Sequence, residues 1–238
     1  MRGMVVKGTT AWTGTRIETG DEVVVPAFGG LEAAEQVRSS GAVAVPVDID
    51  PRTFCIDPAA VARALTPRTV AVVALDLFGH PVDVEPLRAL TRRHNLSLVR
   101  SDASGGTPEG GLDLDAAARR RNAAYLDSRL TGVVTPAVAP GARHTYDSYV
   151  VRVPGNGRPD RDAFQRALRS RGVACRIPVR TPVHRAAGFL SDVRLAEAER
   201  AAEECLALPV DPSMTRRRLQ RVVSACNALG GLLLDPAC

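Results

Sequence analysis

Short apolar runs and stretches of helical periodicity take turns through the first hundred positions. Glu22-Val23-Val24-Val25-Pro26 has the length and β-branched content of a strand. Leu31 to Ser40 keeps its apolar residues on one helical side and stops at Gly41, after which Ala42 to Val47 is again strand-like. Asp57-Pro58 opens a helix to Leu65, Thr69 to Leu77 is a third strand, and Gly79-His80-Pro81 is a turn. A helix from Asp83 to His94 and a fourth strand, Leu96 to Val99, complete the series. Helices placed between strands at these intervals predict an α/β fold with a mostly parallel sheet covered on both faces.

The alternation breaks at Ser104-Gly105-Gly106-Thr107-Pro108-Glu109-Gly110-Gly111, which has no period and reads as a linker. A long helix from Asp113 to about Leu130 follows, with Leu114, Ala118, Tyr125 and Leu126 along one side. The remainder predicts a small α+β lobe. Its parts are a strand Ser148 to Val153, a helix Asp160 to Arg171 stopped by Gly172, a strand Val173 to Val179, and helices over Leu195 to Ala207 and Ser213 to Leu229. The expected domains are therefore 1–111, an α/β unit, and 112–238, the α+β lobe with its linking helix.

Composition narrows the classes. No run of eighteen apolar residues exists and Met1-Arg2-Gly3-Met4 leads into polar positions, so a cytoplasmic protein with no membrane partner is expected. Five cysteines at wide spacing give neither a disulfide framework nor a zinc site. The net charge is +5, but arginines such as Arg119-Arg120-Arg121 and Arg216-Arg217-Arg218 sit in helical patterns, where a solvated face is the ordinary reading. Aromatics are too few for a nucleic-acid stacking platform, so no nucleic-acid partner is expected. Lys7 is the only lysine in the chain.

Several motifs stand in an informative order: Gly20-Asp21-Glu22-Val23-Val24-Val25-Pro26-Ala27-Phe28, Val47-Asp48-Ile49-Asp50-Pro51, Ile56-Asp57-Pro58, and Leu77-Phe78-Gly79-His80-Pro81-Val82-Asp83. In the second half come Pro140-Gly141-Ala142-Arg143-His144-Thr145-Tyr146-Asp147-Ser148-Tyr149, Pro182-Val183-His184, Ala196-Glu197-Ala198-Glu199-Arg200 and Leu208-Pro209-Val210. This series resembles the DegT/DnrJ/EryC1/StrS sugar aminotransferases over most of the chain. The resemblance implies a truncated fold-type I aminotransferase architecture, a homodimer with sites at the subunit interface, and a small-molecule substrate in a deoxysugar, antibiotic or related natural-product pathway.

Against that family pattern the chain has departures. The segment that holds the Schiff-base lysine is missing, its place taken by the linker at 104 to 111, and Schiff-base chemistry requires a lysine amine. Gly8-Thr9-Thr10 resembles the family's phosphate-cradling turn at a helix N-terminus, but Thr13-Gly14 interrupts the helix that should follow. Gly29-Gly30 stand where the family has an aromatic that stacks on the pyridine ring. For the aspartate that meets the pyridine nitrogen, Ser101 takes the place in an ungapped alignment and Asp102 in one slipped by a residue.

From these departures the expected cofactor set is none, with noncovalent pyridoxal phosphate binding through Gly8-Thr9-Thr10 left open. The candidate catalytic groups are Asp102, Tyr146, His184 and His144, and the candidate substrate-binding residues are Gly8, Thr9, Thr10, Asp76, His80 and Arg176. Packing or backbone satisfaction competes for each: a Gly-His-Pro turn explains His80 by sterics, and a surface ion pair is the common fate of an arginine such as Arg176. Three functions remain: a coenzyme-independent acid–base enzyme catalysing a cyclisation, elimination or isomerisation, a noncatalytic partner in a heteromer with a full-length aminotransferase, or a decayed remnant.

Overall fold

In the computed structural model, which describes residues 17–102, 114–154 and 160–230, the valine-rich runs of the first half form four strands. They are β1 (Glu22–Pro26), β2 (Val43–Val47), β3 (Thr69–Asp76) and β4 (Ser97–Asp102), all parallel, in the order β2-β1-β3-β4. Between them run α1 (Leu31–Ser39), α2 (Pro58–Ala64) and α3 (Val84–Arg93). Alternation along the strands decides which helix each side chain meets. Val23, Val25, Ala71, Val73, Leu75 and Val99 pack with Ala33, Ala34 and Val37 of α1, whereas Val24, Val72 and Ala74 pack with Val61 of α2 and Leu87 of α3. A sheet buried on both faces needs apolar residues at consecutive positions, which is why β1 is an unbroken valine run.

The helix starts follow their capping chemistry. Asp57 accepts from the N–H groups of Ala59 and Ala60 ahead of Pro58, and Asp83 accepts from the Glu85 N–H. A longer-range cap is less obvious: both carboxylate oxygens of Asp48, beyond the end of β2, accept from the Glu197 and Ala198 N–H groups 149 and 150 positions later.

The second half contains α4 (Leu114–Asp127), β5 (Tyr149–Arg152), α5 (Asp160–Ser170), a 3-10 turn (Val183–Arg185), α6 (Ala196–Glu204), β6 (Cys205–Leu208) and α7 (Arg216–Gly230). Two elements differ from expectation. The helix expected to reach Ala207 stops at Glu204, and the next four residues become a strand antiparallel to β5. All four, Cys205 to Leu208, are buried, and four consecutive helical residues cannot all face a core on one side. The strand expected over Val173 to Val179 is reduced to one bridge, Arg176 to Ala207; Pro178, just beyond it, has no N–H with which to extend a ladder.

Contacts divide the chain into two interleaved units. Unit 1 takes in the described residues of Met1–Leu77, Pro81–Pro108 and Thr181–Glu199; unit 2 takes in those of Phe78–His80, Glu109–Arg180 and Arg200–Cys238. The expected linker and domain boundary near 111 lie outside the described residues. The core of unit 2 joins Leu126, Tyr149, Val151, Leu168, Leu206, Leu208, Val222 and Cys226, drawn from every regular element of that unit except α6. Among the described residues, no helix is long and apolar enough to cross a membrane.

Candidate functional site

In a parallel sheet, ligand chemistry gathers beyond the carboxyl ends of the strands, where backbone N–H groups and helix starts point outward. In unit 1 that edge begins with the turn after β1. Phe28 is fully buried against Phe54, ring centroids 5.8 Å apart, and Gly29 follows with a positive φ of 78°. Gly30 then precedes α1 so closely that a Cβ on it would lie 2.1 Å from the Pro26 carbonyl oxygen. This backbone therefore admits no side chain at 30, and no aromatic ring can be carried there.

At the ends of β3 and β4, Asp76 is already committed. It accepts the Arg100 guanidinium through Oδ2 (2.7 Å from Nη2) and Oδ1 (3.2 Å from Nε), and Oδ1 also takes the Val82 N–H at 2.9 Å. The two-point fork fixes both side chains. In register, Ser101 pairs with Leu75 and Asp102 with Asp76. Alternation sets Ser101 on the side of Val99 and Leu75, the face covered by α1.

His184 belongs to unit 1 as well and has no exposed surface. The Val183 N–H donates to the Ala27 carbonyl at 2.8 Å, tying this segment to the residue that follows β1. His184 Nε2 lies 3.0 Å from Glu199 Oε1, an oxygen that also takes Arg185 Nη2 at 2.7 Å. Those two partners hold the Glu199 carboxyl below its ordinary range, the histidine contact being the larger cause. With Nε2–H donating to Glu199, Nδ1 is a bare acceptor, buried and without a hydrogen-bond partner among the described residues.

Unit 2 brings three other candidates together. His144 stacks on Tyr146 with ring centroids 3.9 Å apart and meets His80 edge-on at 5.4 Å. His144 Nδ1 accepts the Tyr146 N–H at 2.9 Å, and His80 Nε2 accepts the Ala139 N–H at 3.1 Å. Burial, and secondarily the positive charge His80 could carry, push the His144 imidazole down to about 3. Tyr146 holds a left-handed backbone with φ 52°, and burial raises its phenol above the usual range. Beside it, the Tyr149 hydroxyl donates to Asp127 Oδ1 at 2.5 Å; burial raises the Asp127 carboxyl. The result is a ladder of packed rings in which His144 Nδ1 and His80 Nε2 serve the backbone, so proton transfer at those atoms would first require breaking a hydrogen bond.

Arg176, also in unit 2, bridges to Ala207 through its backbone and donates Nη2 to Ser148 Oγ at 2.7 Å. Gly8, Thr9 and Thr10 lie outside the described residues, as does Lys7. Sequence reasoning missed Glu199 as the partner of His184, Arg100 as the partner of Asp76 and Asp127 as the partner of Tyr149. Only Arg100 carried a local signal, a charge following the apolar pair Leu98-Val99 inside a strand. Among the described residues, no group of three or more histidine, cysteine or acidic side chains is placed to hold a metal.

The model of the DegT/DnrJ/EryC1/StrS aminotransferase family matches residues 9–109 and 110–227. A relative, the L-glutamine:2-deoxy-scyllo-inosose aminotransferase of Micromonospora echinospora, is 44% identical over 87 residues, which are 37% of this chain and 21% of that protein. The chain thus matches about a fifth of that relative's length. The erythromycin biosynthesis sensory transduction protein EryC1 of Saccharopolyspora erythraea is 27% identical over 295 residues, covering 88% of this chain and 79% of that one. An alignment of that length over a chain of 238 residues carries a long gap on this side. Among solved structures, NtdA from Bacillus subtilis with bound cofactor PMP shares the fold at a TM-score of 0.77 and 19% identity, covering 90% of this chain and 69% of that one.

These matches correct the expectation of no cofactor: the family and its structural neighbours are pyridoxal-phosphate-dependent aminotransferases, and NtdA was solved with PMP in place. The described residues of this chain match only part of such a site. They contain no lysine, and the closed turn at Gly30 supplies no stacking ring. What they retain is the fold around it: the strand ends, the start of α1 and Ser101 on the α1 face.

Proposed function

Because the chain belongs to the DegT/DnrJ/EryC1/StrS aminotransferase family, we propose that it serves amino-sugar or aminocyclitol biosynthesis as the partner of a full-length family member, with the coenzyme held at a site the two chains complete together. The observation that carries this reading is the Gly30 turn, where the Pro26 carbonyl occupies the space of a side chain, in a chain whose only lysine is Lys7. A self-sufficient aminotransferase needs a lysine amine for its coenzyme and a wall for the ring. A partner of the same fold can supply both, while this chain contributes its sheet edge and Gly8-Thr9-Thr10, whose sequence resembles the family's phosphate-cradling turn.

The alternative of a coenzyme-independent acid–base enzyme has less support. Asp76 is clamped by Arg100, His144 and His80 serve backbone N–H groups, and His184 is sealed against Glu199. The substrate class follows from the relatives, whose names include aminotransferases acting on 2-deoxy-scyllo-inosose and a GDP-perosamine synthase. Co-expression with a full-length family aminotransferase from the same genome tests the reading. A mixed dimer by native mass spectrometry, with aminotransferase activity changed at least several-fold from that of the full-length chain alone, is expected. Separate homodimers with unchanged activity overturn it.

A further inference from the structure

The outward face of α7, in unit 2, concentrates positive charge in a way that the preceding reading does not use. Leu219, Val222, Ala225 and Cys226 turn into the core of that unit, and on the rest of the helix Arg216, Arg217, Arg218 and Arg221 are all exposed. Helical spacing sets Arg221 one turn beyond Arg217 and Arg218, so three guanidinium groups share one side. No acidic residue stands in the first turn to offset them, and none of the four guanidinium groups makes an ion pair or a hydrogen bond among the described residues.

Like charges at that spacing repel, and cations at a helix start oppose its dipole, so the free chain keeps an arrangement that costs it stability. A local rule broken without an internal gain points to a partner outside the chain. The helix start itself is not what is offered, because Thr215 Oγ1 takes the Arg218 N–H at 3.4 Å; the side chains are. The rest of the unit adds to the same field. Among its described residues arginines outnumber acidic residues about two to one, whereas in unit 1 the acidic residues are in excess. Arg166, Arg171 and Arg180 of unit 2 are likewise exposed, and their guanidinium groups make no ion pair among the described residues.

The chemistry of the face selects among anionic partners. A protein interface needs an apolar centre, and a bilayer holds a basic helix through apolar residues or a lipid chain, yet none of the exposed large apolar side chains among the described residues lies on α7. Single-stranded nucleic acid needs aromatic platforms, and α7 contains no aromatic residue. A duplex backbone needs neither, so the scarcity of aromatics that argued against nucleic acid in the sequence does not bear on it. The convex face of one helix fits the wide major groove of B-form DNA and not the narrow one of A-form RNA. We propose that α7 binds double-stranded DNA without regard to sequence, Arg217, Arg218 and Arg221 taking phosphate oxygens in their forks. The inference goes beyond the partner reading and does not depend on it, because every residue involved lies in unit 2 of this chain.

Fluorescence anisotropy of a labelled, mixed-sequence DNA duplex titrated with the full chain tests it. Saturable binding at about 50 mM salt is expected, weakening with salt along a log–log slope of about −3, as three phosphate contacts require. Arg217→Ala/Arg221→Ala should bind at least about tenfold more weakly and bring the slope to about −1. Arg92→Ala/Arg93→Ala, which removes the same charge from exposed positions on α3 of unit 1, should leave both unchanged. Because the α7 pair repels in the free chain, its double variant should unfold at the same or a higher denaturant concentration than the native chain, which separates loss of binding from loss of fold. No saturable binding, equal losses in the two double variants, or tighter binding to a DNA single strand, an RNA duplex or phosphatidylserine vesicles would each overturn the proposal. None of these results bears on whether the chain pairs with a full-length aminotransferase.

Discussion

His144 shows how far burial can move a side chain from the role its type suggests. Ordinary imidazole titrates near 6.5, but this ring, stacked on Tyr146 and edge-on to His80, is pushed down to about 3 by burial first and His80 second. Between those two values the unfolded chain takes up a proton that the folded chain refuses. The stabilisation is therefore complete above about pH 6.5 and is lost as pH falls towards 3, with a slope approaching about 1.4 kcal/mol per pH unit. Urea midpoints at pH 7.5 and 5.0 should drop for the native chain and drop less for His144→Gln; equal losses in the two proteins would contradict the assignment. Residue type and the family resemblance singled out His144, Tyr146 and His80, and the fold brings these three side chains together. They could not show that Tyr146 adopts a left-handed backbone that turns its own N–H onto His144, because that depends on where the chain folds back.

At the scale of elements, the parallel sheet was legible because its physics is local: valine runs, Asp-Pro caps and glycine stops all speak within ten residues. The strand β6 was not, since its four apolar residues continue a helical stretch and only pairing with β5 makes them extended. The start of α6 was legible to within a residue, but its capping partner was not, because that is Asp48, far back in the sequence. Asp48→Ala should lower stability by about 1 kcal/mol, the ordinary value of a helix cap, measured by denaturant unfolding. A change below a few tenths would show that the Asp48 bonds are incidental. The glycines offer a sharper contrast. A Cβ at Gly30 meets the Pro26 carbonyl at 2.1 Å, whereas Gly172, with φ 73°, has nothing within 4 Å. Gly172→Ala should cost roughly 1–2 kcal/mol from its left-handed backbone alone, and Gly30→Ala should cost more, because backbone must move. The reverse order would mean that the turn after β1 is softer than its geometry indicates.

For the whole molecule, the chain keeps the fold of an aminotransferase family while lacking, among its described residues, the lysine and ring wall on which self-sufficient transamination rests. The motif order was enough to place it in that family. The inference from missing contacts to a missing cofactor was not sound, because a site shared between subunits can be completed by another chain. On the reading proposed above, this chain needs a partner to hold its coenzyme covalently. The most direct test of that need is an absorbance titration of the purified chain with pyridoxal 5′-phosphate, alone and with a full-length family aminotransferase whose own lysine has been replaced, repeated with Lys7→Ala. The chain alone is expected to give no visible band from condensation with a lysine amine. A saturable band in the chain alone, lost in Lys7→Ala, would contradict it and make Lys7 the attachment point of a self-sufficient enzyme.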